Sequence, residues 1–148
     1  MPTADAALAP FDPAAWLAQA RVGHDVALGI RYEDHGPDWC ALSLGYDRRL
    51  VSDGRSGILA SGPIVSLIDT AAALAVWARR GAMLPQATLD LRLDYLRPAR
   101  PGQAIRARAE CYRLTRRVAF VRGTAHDGDE DDPVAHAAGT FSLLEAWL

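Results

Sequence analysis

The sequence of 148 residues contains no lysine, only two cysteines and no long hydrophobic run. Its 16 basic residues, all of them arginine, stand against 18 acidic ones, and no basic block marks a surface for nucleic acid. The longest apolar run, from Ala71 to Ala78, is far shorter than the roughly 20 residues needed to cross a bilayer. We therefore expect neither nucleic acid nor a membrane among the partners.

Cysteine usage and the N-terminal residues bear on the compartment. Cys40 and Cys111 have no metal-ligand spacing around them, which favours buried free thiols over a disulfide or a zinc site. The N-terminal stretch carries Asp5 and Asp12 before any basic residue, so it lacks the positive region and unbroken apolar run of a signal peptide. A cytoplasmic location is expected.

The length and the apolar fraction of 50% predict one domain with a real core, spanning 1–148, with 1–22 as an N-terminal extension. Within that extension, Asp12 can cap a helix that has Pro13 at its first position and apolar residues at helical spacing up to Val22. A short N-terminal helix is therefore predicted.

The longest predicted element is an apolar helix that starts near Gly62 and Pro63, with Ser61 available as a cap. It runs through Trp77 and ends at two arginines followed by Gly81. A helix that is apolar on nearly every face must be buried on most sides. In a domain this small, only a curved sheet that wraps the helix can achieve that.

Strand patterns flank this helix on both sides. A hairpin is predicted before it, from two alternating segments, 26–33 and 39–46, that a polar turn separates. Alternation and turn signals predict four more strands after the helix, at 87–96, 104–114, 117–126 and 134–144. The predicted order is hairpin, long buried helix and four antiparallel strands.

The segment 62–71, Gly-Pro-Ile-Val-Ser-Leu-Ile-Asp-Thr-Ala, followed by Leu-Asp-Tyr-Leu-Arg-Pro-Ala at 93–99, resembles the hotdog-fold acyl-CoA thioesterases of the phenylacetate-degradation (PaaI-like) type. Segments 116–119 and 137–141 also look like family positions, so the resemblance covers 51–144. It implies an α+β hotdog fold, in which about six antiparallel strands wrap a long central helix. It also implies hydrolysis of an acyl-CoA or aryl-acyl-CoA thioester to free acid and coenzyme A.

The resemblance carries a set of site residues. In the family the central helix usually opens with His-Gly-Gly, and a carboxylate follows nine positions after the His. Here the three positions are Ala60, Ser61 and Gly62, the carboxylate is Asp69, and the Asn often found in the preceding loop corresponds to Gly54. The Ser61 and Gly62 amides would stabilise the developing oxyanion, because a helix N-terminus favours negative charge. Asp69 would activate the hydrolytic water or attack the thioester carbon itself; alternatively, it is structural, pairing across a dimer seam or bonding backbone at a helix contact.

Thr88 stands where the family often has a Ser or Thr that holds the attacking water, although packing in a strand accounts for it equally well. The resemblance implies a homodimer, or a dimer of dimers, with the two long helices side by side and Asp69 facing Thr88 of the other subunit. Coenzyme A would lie along the seam. Candidates for its phosphates, each also explicable as a solvated strand-end residue, are Arg97, Arg100, Arg116 and Arg117.

Two other functions stay open from the sequence. A non-catalytic hotdog module that binds an acyl chain or an acyl-CoA would fit the changes at Ala60 and Ser61. A hydratase or dehydratase on the same fold needs a His working with an acid at the helix entrance, where no His falls. No glycine-rich phosphate loop indicates a redox cofactor. No metal site or triad is predicted from the spacing of the four histidines, His24, His35, His126 and His136.

Overall fold

The structure, a computed structural model, describes residues 10–145; residues 1–9 of the expected N-terminal extension lie outside that range. Three α-helices precede or divide the strands: α1 (Pro13–Gln19), α2 (His24–Leu28) and α3 (Ser61–Arg80). The six strands are β1 (Ile30–His35), β2 (Trp39–Leu44), β3 (Gln86–Tyr95), β4 (Ile105–Leu114), β5 (Val118–His126) and β6 (Ala135–Leu143). A 3-10 turn covers Arg48–Leu50.

The six strands form one antiparallel sheet in the order β1-β2-β4-β5-β6-β3. Alternate residues of the central strands face inward, as on β4, where Ile105, Ala107, Ala109 and Cys111 are buried. Small inward side chains let the sheet curve closely around α3, whose Leu67, Ile68 and Leu74 are almost fully buried against it. The predicted hotdog fold is confirmed.

Helix α3 is the structural centre of the described part of the chain. Among residues 10–145 it is the one helix long and apolar enough, by length and composition, to cross a membrane. Its apolarity is accounted for by burial, because it packs on β2, β4 and β5. The helix ends at Gly81, which has the left-handed φ of 70°. It begins one residue earlier than predicted: Ala60 is the N-cap without a side-chain bond, and Ser61 is the first helical residue.

The sequence prediction was wrong at the start of the hairpin. Val26 was expected to open a strand, but it lies in α2, and β1 starts only at Ile30. Asp25 in the first turn favours the helix, and Gly29, with a φ of 73°, ends it because the left-handed conformation is open to glycine at little steric cost. Five residues are too few for a helical period to be visible.

The short N-terminal helix is confirmed, although α1 ends at Gln19 and not at Val22. Asp12 accepts hydrogen bonds from the Ala14 and Ala15 amides and so caps α1. Cys40 and Cys111 are buried free thiols, as predicted. Burial raises the pKa of the Cys40 thiol to about 12, which keeps it protonated and unreactive.

Candidate active site

In the seam between α3 and β3, polar side chains from the sheet reach the central helix in a row. The Gln86 amide donates to the Ala73 carbonyl oxygen at 2.8 Å, and further along the strand Tyr95 Oη donates to the Ser61 carbonyl oxygen at 3.3 Å. Strand β3 pairs with β6 alone and forms an edge of the sheet, with most of its residues exposed. The seam is therefore polar and open, whereas the side of α3 that packs on β2, β4 and β5 carries buried apolar side chains.

Asp69 lies in the middle of this seam. Thr88 Oγ1 donates to its Oδ1 at 3.0 Å, and the carboxylate is half-buried. Burial raises the pKa of Asp69; the Thr88 hydrogen bond opposes this effect, and the negative charge of Asp25 adds to it. Among the described residues, no arginine or histidine forms an ion pair with Asp69. A carboxylate that is oriented, partly desolvated and without a cation is suited to accept a proton.

The partner of Asp69 differs from the expectation. The family resemblance implied that Asp69 faces Thr88 of another subunit, but the Thr88 that binds it belongs to the same chain. The reason is topological: β3 returns along α3 after the helix ends, so the first residues of the strand meet the middle of the helix. The pair Asp69–Thr88 is therefore complete within one chain.

The N-terminus of α3 carries the second candidate feature. Ser61 and Gly62 are exposed, and Ala60 provides no side-chain cap, so the first-turn amides have no side-chain acceptor. Gly62 and Asp69 are seven residues apart, which places them about 10 Å apart along the helix axis. One thioester carbonyl cannot contact the amides and the carboxylate of the same helix at once. If both act on one substrate, they belong to different copies of the chain.

The four arginines proposed for phosphate binding do not form one site. Arg97 and Arg100 lie where β3 leads into β4, and both bind Asp127, Arg97 through two hydrogen bonds of 2.6 and 2.8 Å. Arg116 and Arg117 are exposed in the turn between β4 and β5, at the other end of the sheet. The nine residues of β5 separate the two ends by about 30 Å. Within one chain, at most one of the two pairs can meet a given phosphate, and the Arg97 guanidinium is already engaged by Asp127 and Asp132.

Two contacts that the sequence did not indicate bring α2 onto α3. His24 Nε2 lies 2.7 Å from Ser66 Oγ, and Thr70 Oγ1 donates to Asp25 Oδ1 at 2.9 Å. The sequence predicts no site role for His24 or Asp25. Each pair is more than 40 residues apart in the chain, so local spacing carries no signal for it.

A groove of about 350 Å³ lies on the outer face of the sheet. Its lining includes Arg108, Arg122, His126 and His136, all on the face of the sheet turned away from α3. Glu110 lies 3.2 Å from Arg122 within the groove. The sheet separates the groove from Asp69 and the start of α3, so it does not belong to the candidate active site.

Comparison with known proteins gives the class of this fold and site. The profile of the thioesterase superfamily matches residues 56–134, which is more than half of the chain and includes α3, Asp69 and Thr88. The protein belongs to the thioesterase superfamily and is a thioester hydrolase by family. The resemblance to hotdog-fold thioesterases of the PaaI-like type is thereby confirmed.

Individual relatives cover most of the chain. The medium/long-chain acyl-CoA thioesterase YigI of Escherichia coli K12 is 29% identical over 130 residues, 79% of this chain and 83% of that protein. A crystal structure of a Pseudomonas aeruginosa protein superimposes with a TM-score of 0.77 at 33% identity, over 88% of this chain and 96% of the other. A mutant of the phenylacetic acid degradation protein PaaI from Thermus thermophilus gives a TM-score of 0.71 at 30% identity, over 81% and 97% of the two chains.

Proposed function

We propose that the protein hydrolyses acyl-CoA thioesters to a carboxylic acid and coenzyme A, with Asp69 as the general base. The observation that carries this proposal is the position of Asp69, which is half-buried, held by Thr88, without a cation among residues 10–145, and in the open polar seam between α3 and β3. The membership of the thioesterase superfamily supplies the reaction class.

The proposed reaction uses each group once. A water molecule bound by Thr88 and Asp69 gives one proton to the carboxylate while its oxygen attacks the thioester carbon. The carbonyl oxygen becomes an oxyanion, which the amides of Ser61 and Gly62 at a helix start stabilise. The carbon–sulfur bond then breaks, the acid leaves, and Asp69 returns its proton to the thiolate of coenzyme A.

Isotope labelling with mass spectrometry tests whether Asp69 acts as a general base or, alternatively, as a nucleophile. In a single turnover in water labelled with oxygen-18, a general base places the label in the acid product and none in the enzyme. A nucleophilic Asp69 forms a mixed anhydride instead. Water that attacks the Asp69 carbon of this anhydride leaves label in the Asp69 carboxylate, whereas water that attacks the acyl carbon labels only the acid product. Mass spectrometry therefore examines both the labelled peptide that contains Asp69 and the whole protein quenched in acid during turnover, where the anhydride appears as an acyl adduct. We expect neither label nor adduct on Asp69, because Thr88 holds one carboxylate oxygen.

A homodimer with shared sites is part of the proposal. The distance of about 10 Å between Gly62 and Asp69 along one helix calls for amides from the partner chain. Strand β3 offers an open edge with apolar side chains: Leu89 on the strand is 61% exposed, and Leu96 directly after it is 54% exposed. The partly exposed side of α3 carries the small residue Ala73, which lets a second helix approach closely. Pairing of such dimers into tetramers is a further expectation that size measurement in solution tests.

Mixing two inactive variants tests the shared site. Ser61→Pro removes the first amide hydrogen without breaking the helix, because proline is favoured at the first helical position. Asp69→Asn removes the base. A heterodimer of the two variants has one intact site, so a random mixture should recover about a quarter of wild-type activity. Failure of any mixture to exceed the separate variants, with heterodimers present, would place amides and base in one chain.

The acyl group is the least constrained part of the proposal. The name of the YigI relative points first to medium and long acyl chains, and the PaaI relative to aryl-acetyl groups. The test is release of free thiol from a panel of short, medium, long and aromatic acyl-CoA thioesters. Turnover of one class supports the proposal and defines the substrate. Binding without thiol release would instead favour a non-catalytic acyl-CoA-binding module, in line with the changes at Ala60 and Ser61. A cytoplasmic location is part of this proposal.

A further inference from the structure

We propose that α2 forms one wall of the acyl-CoA site and that Asp25, which α2 carries, is a positioning residue that acts on Asp69 through its negative charge. The inference rests on the proposed role of Asp69 as the base. It assigns a function to a five-residue helix that lies outside the family match at 56–134.

Two side-chain hydrogen bonds fix α2 on α3. Thr70 Oγ1 donates to Asp25 Oδ1 at 2.9 Å, and His24 Nε2 lies 2.7 Å from Ser66 Oγ. The Ser66 hydroxyl donates its one hydrogen to the Gly62 carbonyl oxygen at 3.2 Å. With the Ser66 hydrogen used in this way, His24 Nε2 is the donor to Ser66 in the assigned tautomer. The imidazole and the carboxylate thus anchor neighbouring residues of α2 to residues one helical turn apart on α3.

This anchoring places α2 and β3 on either side of Asp69. Ser66 is three positions before Asp69, so the two side chains are neighbours on the helix surface, and Thr70 lies one turn after Ser66. Strand β3 approaches from the other side, where Thr88 binds Asp69. Asp69 thus lies on the open strip of α3 between the two elements.

The charges that face this strip are few. From α2 they are Asp25 and His24, and from β3 the titratable group is Tyr95, which binds the Ser61 carbonyl at the far end. Strands β2, β4 and β5 pack against the other side of α3 with apolar side chains and the two buried thiols. Asp25 is therefore the anionic group that acts on Asp69. A like charge favours the protonated form, so Asp25 raises the pKa of Asp69 beyond the effect of burial, against the opposing Thr88 bond.

A base is most effective when its pKa lies close to the working pH, because it then accepts a proton from water more readily. Asp25 contributes to this condition without contacting the substrate. Its hydrogen bond to Thr70 keeps the charge at a fixed distance, and partial burial of Asp25 limits screening by salt.

The decisive variant is Asp25→Asn, since the asparagine oxygen still accepts from Thr70 while the charge is removed. We expect the acid-side midpoint of kcat/KM to move to lower pH, with about twofold more activity at one pH unit below the wild-type midpoint, the size of effect that a single nearby charge has in a water-like dielectric. Glu130→Gln is the matched control, because it removes one exposed negative charge on the loop between β5 and β6. A midpoint of Asp25→Asn equal to that of Glu130→Gln, or shifted upward, overturns the inference.

His24 provides a second test. His24→Ala removes the donor to Ser66 and frees α2, so Asp25 moves away and the midpoint should shift in the same direction as in Asp25→Asn. His24→Gln can donate to Ser66 and should restore the wild-type midpoint. Equal midpoints for the Ala and Gln variants contradict the anchoring role.

Carbon-13 NMR titration of the Asp69 carboxyl separates this inference from the proposed function. The titration needs no substrate, and Asp25→Asn should lower the Asp69 midpoint even in a protein that hydrolyses no acyl-CoA. An unchanged Asp69 titration alongside normal turnover rejects the role of Asp25 and leaves the proposed function intact. A shifted titration without turnover of any thioester rejects the proposed function alone.

Discussion

Asp127 and Asp69 are two carboxylates that the fold buries to different degrees, and their surroundings shift their pKa values in opposite directions. The Asp127 side chain is 0% exposed, receives two hydrogen bonds from Arg97, and accepts one from the Arg100 amide at 2.7 Å. The Arg97 guanidinium beside it holds the pKa of Asp127 well below its usual range. Asp69 receives one hydroxyl hydrogen bond and has a raised pKa because of burial.

The difference separates a structural role from a chemical one. A buried charge with bidentate cationic partners is held in its ionised form, and together with Asp132 it joins the loop after β3 to the loop after β5. A half-buried charge without a cation is destabilised in its ionised form and is ready to accept a proton. At Asp69, which lies beside the open edge of the sheet, the ionised carboxylate has no cation among the described residues to compensate it. At Asp127 two arginines compensate the negative charge.

The largest change in stability is expected when the ion-pair cluster of Asp127 with Arg97 and Arg100 is broken. Asp127→Asn removes the buried counter-charge of the Arg97 guanidinium and leaves it only the half-exposed Asp132, and we expect a loss of about 3 kcal/mol in the free energy of unfolding. Urea unfolding measures it. Asp69→Asn is the matched variant, and it should be neutral or slightly stabilising because it removes an uncompensated charge. Equal losses for the two variants would contradict the distinction drawn between them.

The two carboxylates also predict opposite dependences on pH. The pKa of Asp127 is lowered in the folded state, so its contribution to stability is present above the unfolded value of about 4 and is lost as the pH falls through the folded value. The pKa of Asp69 is raised, so its ionised form costs stability at neutral pH, and protonation relieves this cost.

Activity should therefore fall before the fold is lost. Since Asp69 must be ionised to act, kcat/KM should decline about tenfold per pH unit on the acid side, with a midpoint above the usual Asp value of about 4. Circular dichroism at the same pH values should show the folded protein. Simultaneous loss of activity and structure would refute this order.

A smaller effect is expected at Thr88, the single donor to Asp69. Thr88→Val keeps the shape and removes the hydroxyl, and kcat should fall about tenfold, the equivalent of one hydrogen bond of about 1.4 kcal/mol. Thr88→Ser keeps the donor and should retain most of the activity. Thiol release under saturating substrate measures this effect, and a serine variant as slow as the valine variant would assign packing to Thr88.

The smallest effect is expected at the rim of the Asp127 cluster. The Arg100 side chain is 54% exposed, and its guanidinium lies 3.3 Å from Asp127 Oδ1, farther than the Arg97 guanidinium. Arg100→Gln should cost less than about 1 kcal/mol in unfolding free energy, because exposed ion pairs contribute little. A loss as large as that of Asp127→Asn would mean that Arg100, and not Arg97, compensates the buried charge.

The sequence predicted the elements that are long and periodic. Helix α3 and the strands β3 to β6 lie within a residue or two of their expected bounds, because alternation and capping are strong local signals. Helix α2 was predicted as strand because five residues hold no visible period and its two contacts with α3 are non-local. The resemblance indicated Asp69 and Thr88, and the structure brings them together in one chain.

The arginines are the residues whose surroundings the sequence predicted least well. Arg97 and Arg116 were grouped because a guanidinium suits phosphate, but side-chain chemistry does not reveal where a strand end lies. The structure places Arg97 on a buried carboxylate from a loop 30 residues away. An ion pair of this kind depends on the return of β6 beside β3, which local patterns do not encode.

The most direct test of this account is the rate of thiol release by Asp69→Asn, measured on the best acyl-CoA substrate together with its urea unfolding curve. We predict a kcat lower by about 10²- to 10⁴-fold, the usual contribution of a general base, with an unfolding free energy at or above that of the wild type. Wild-type turnover in the folded variant would contradict the account, because it would make Asp69 a structural residue like Asp127.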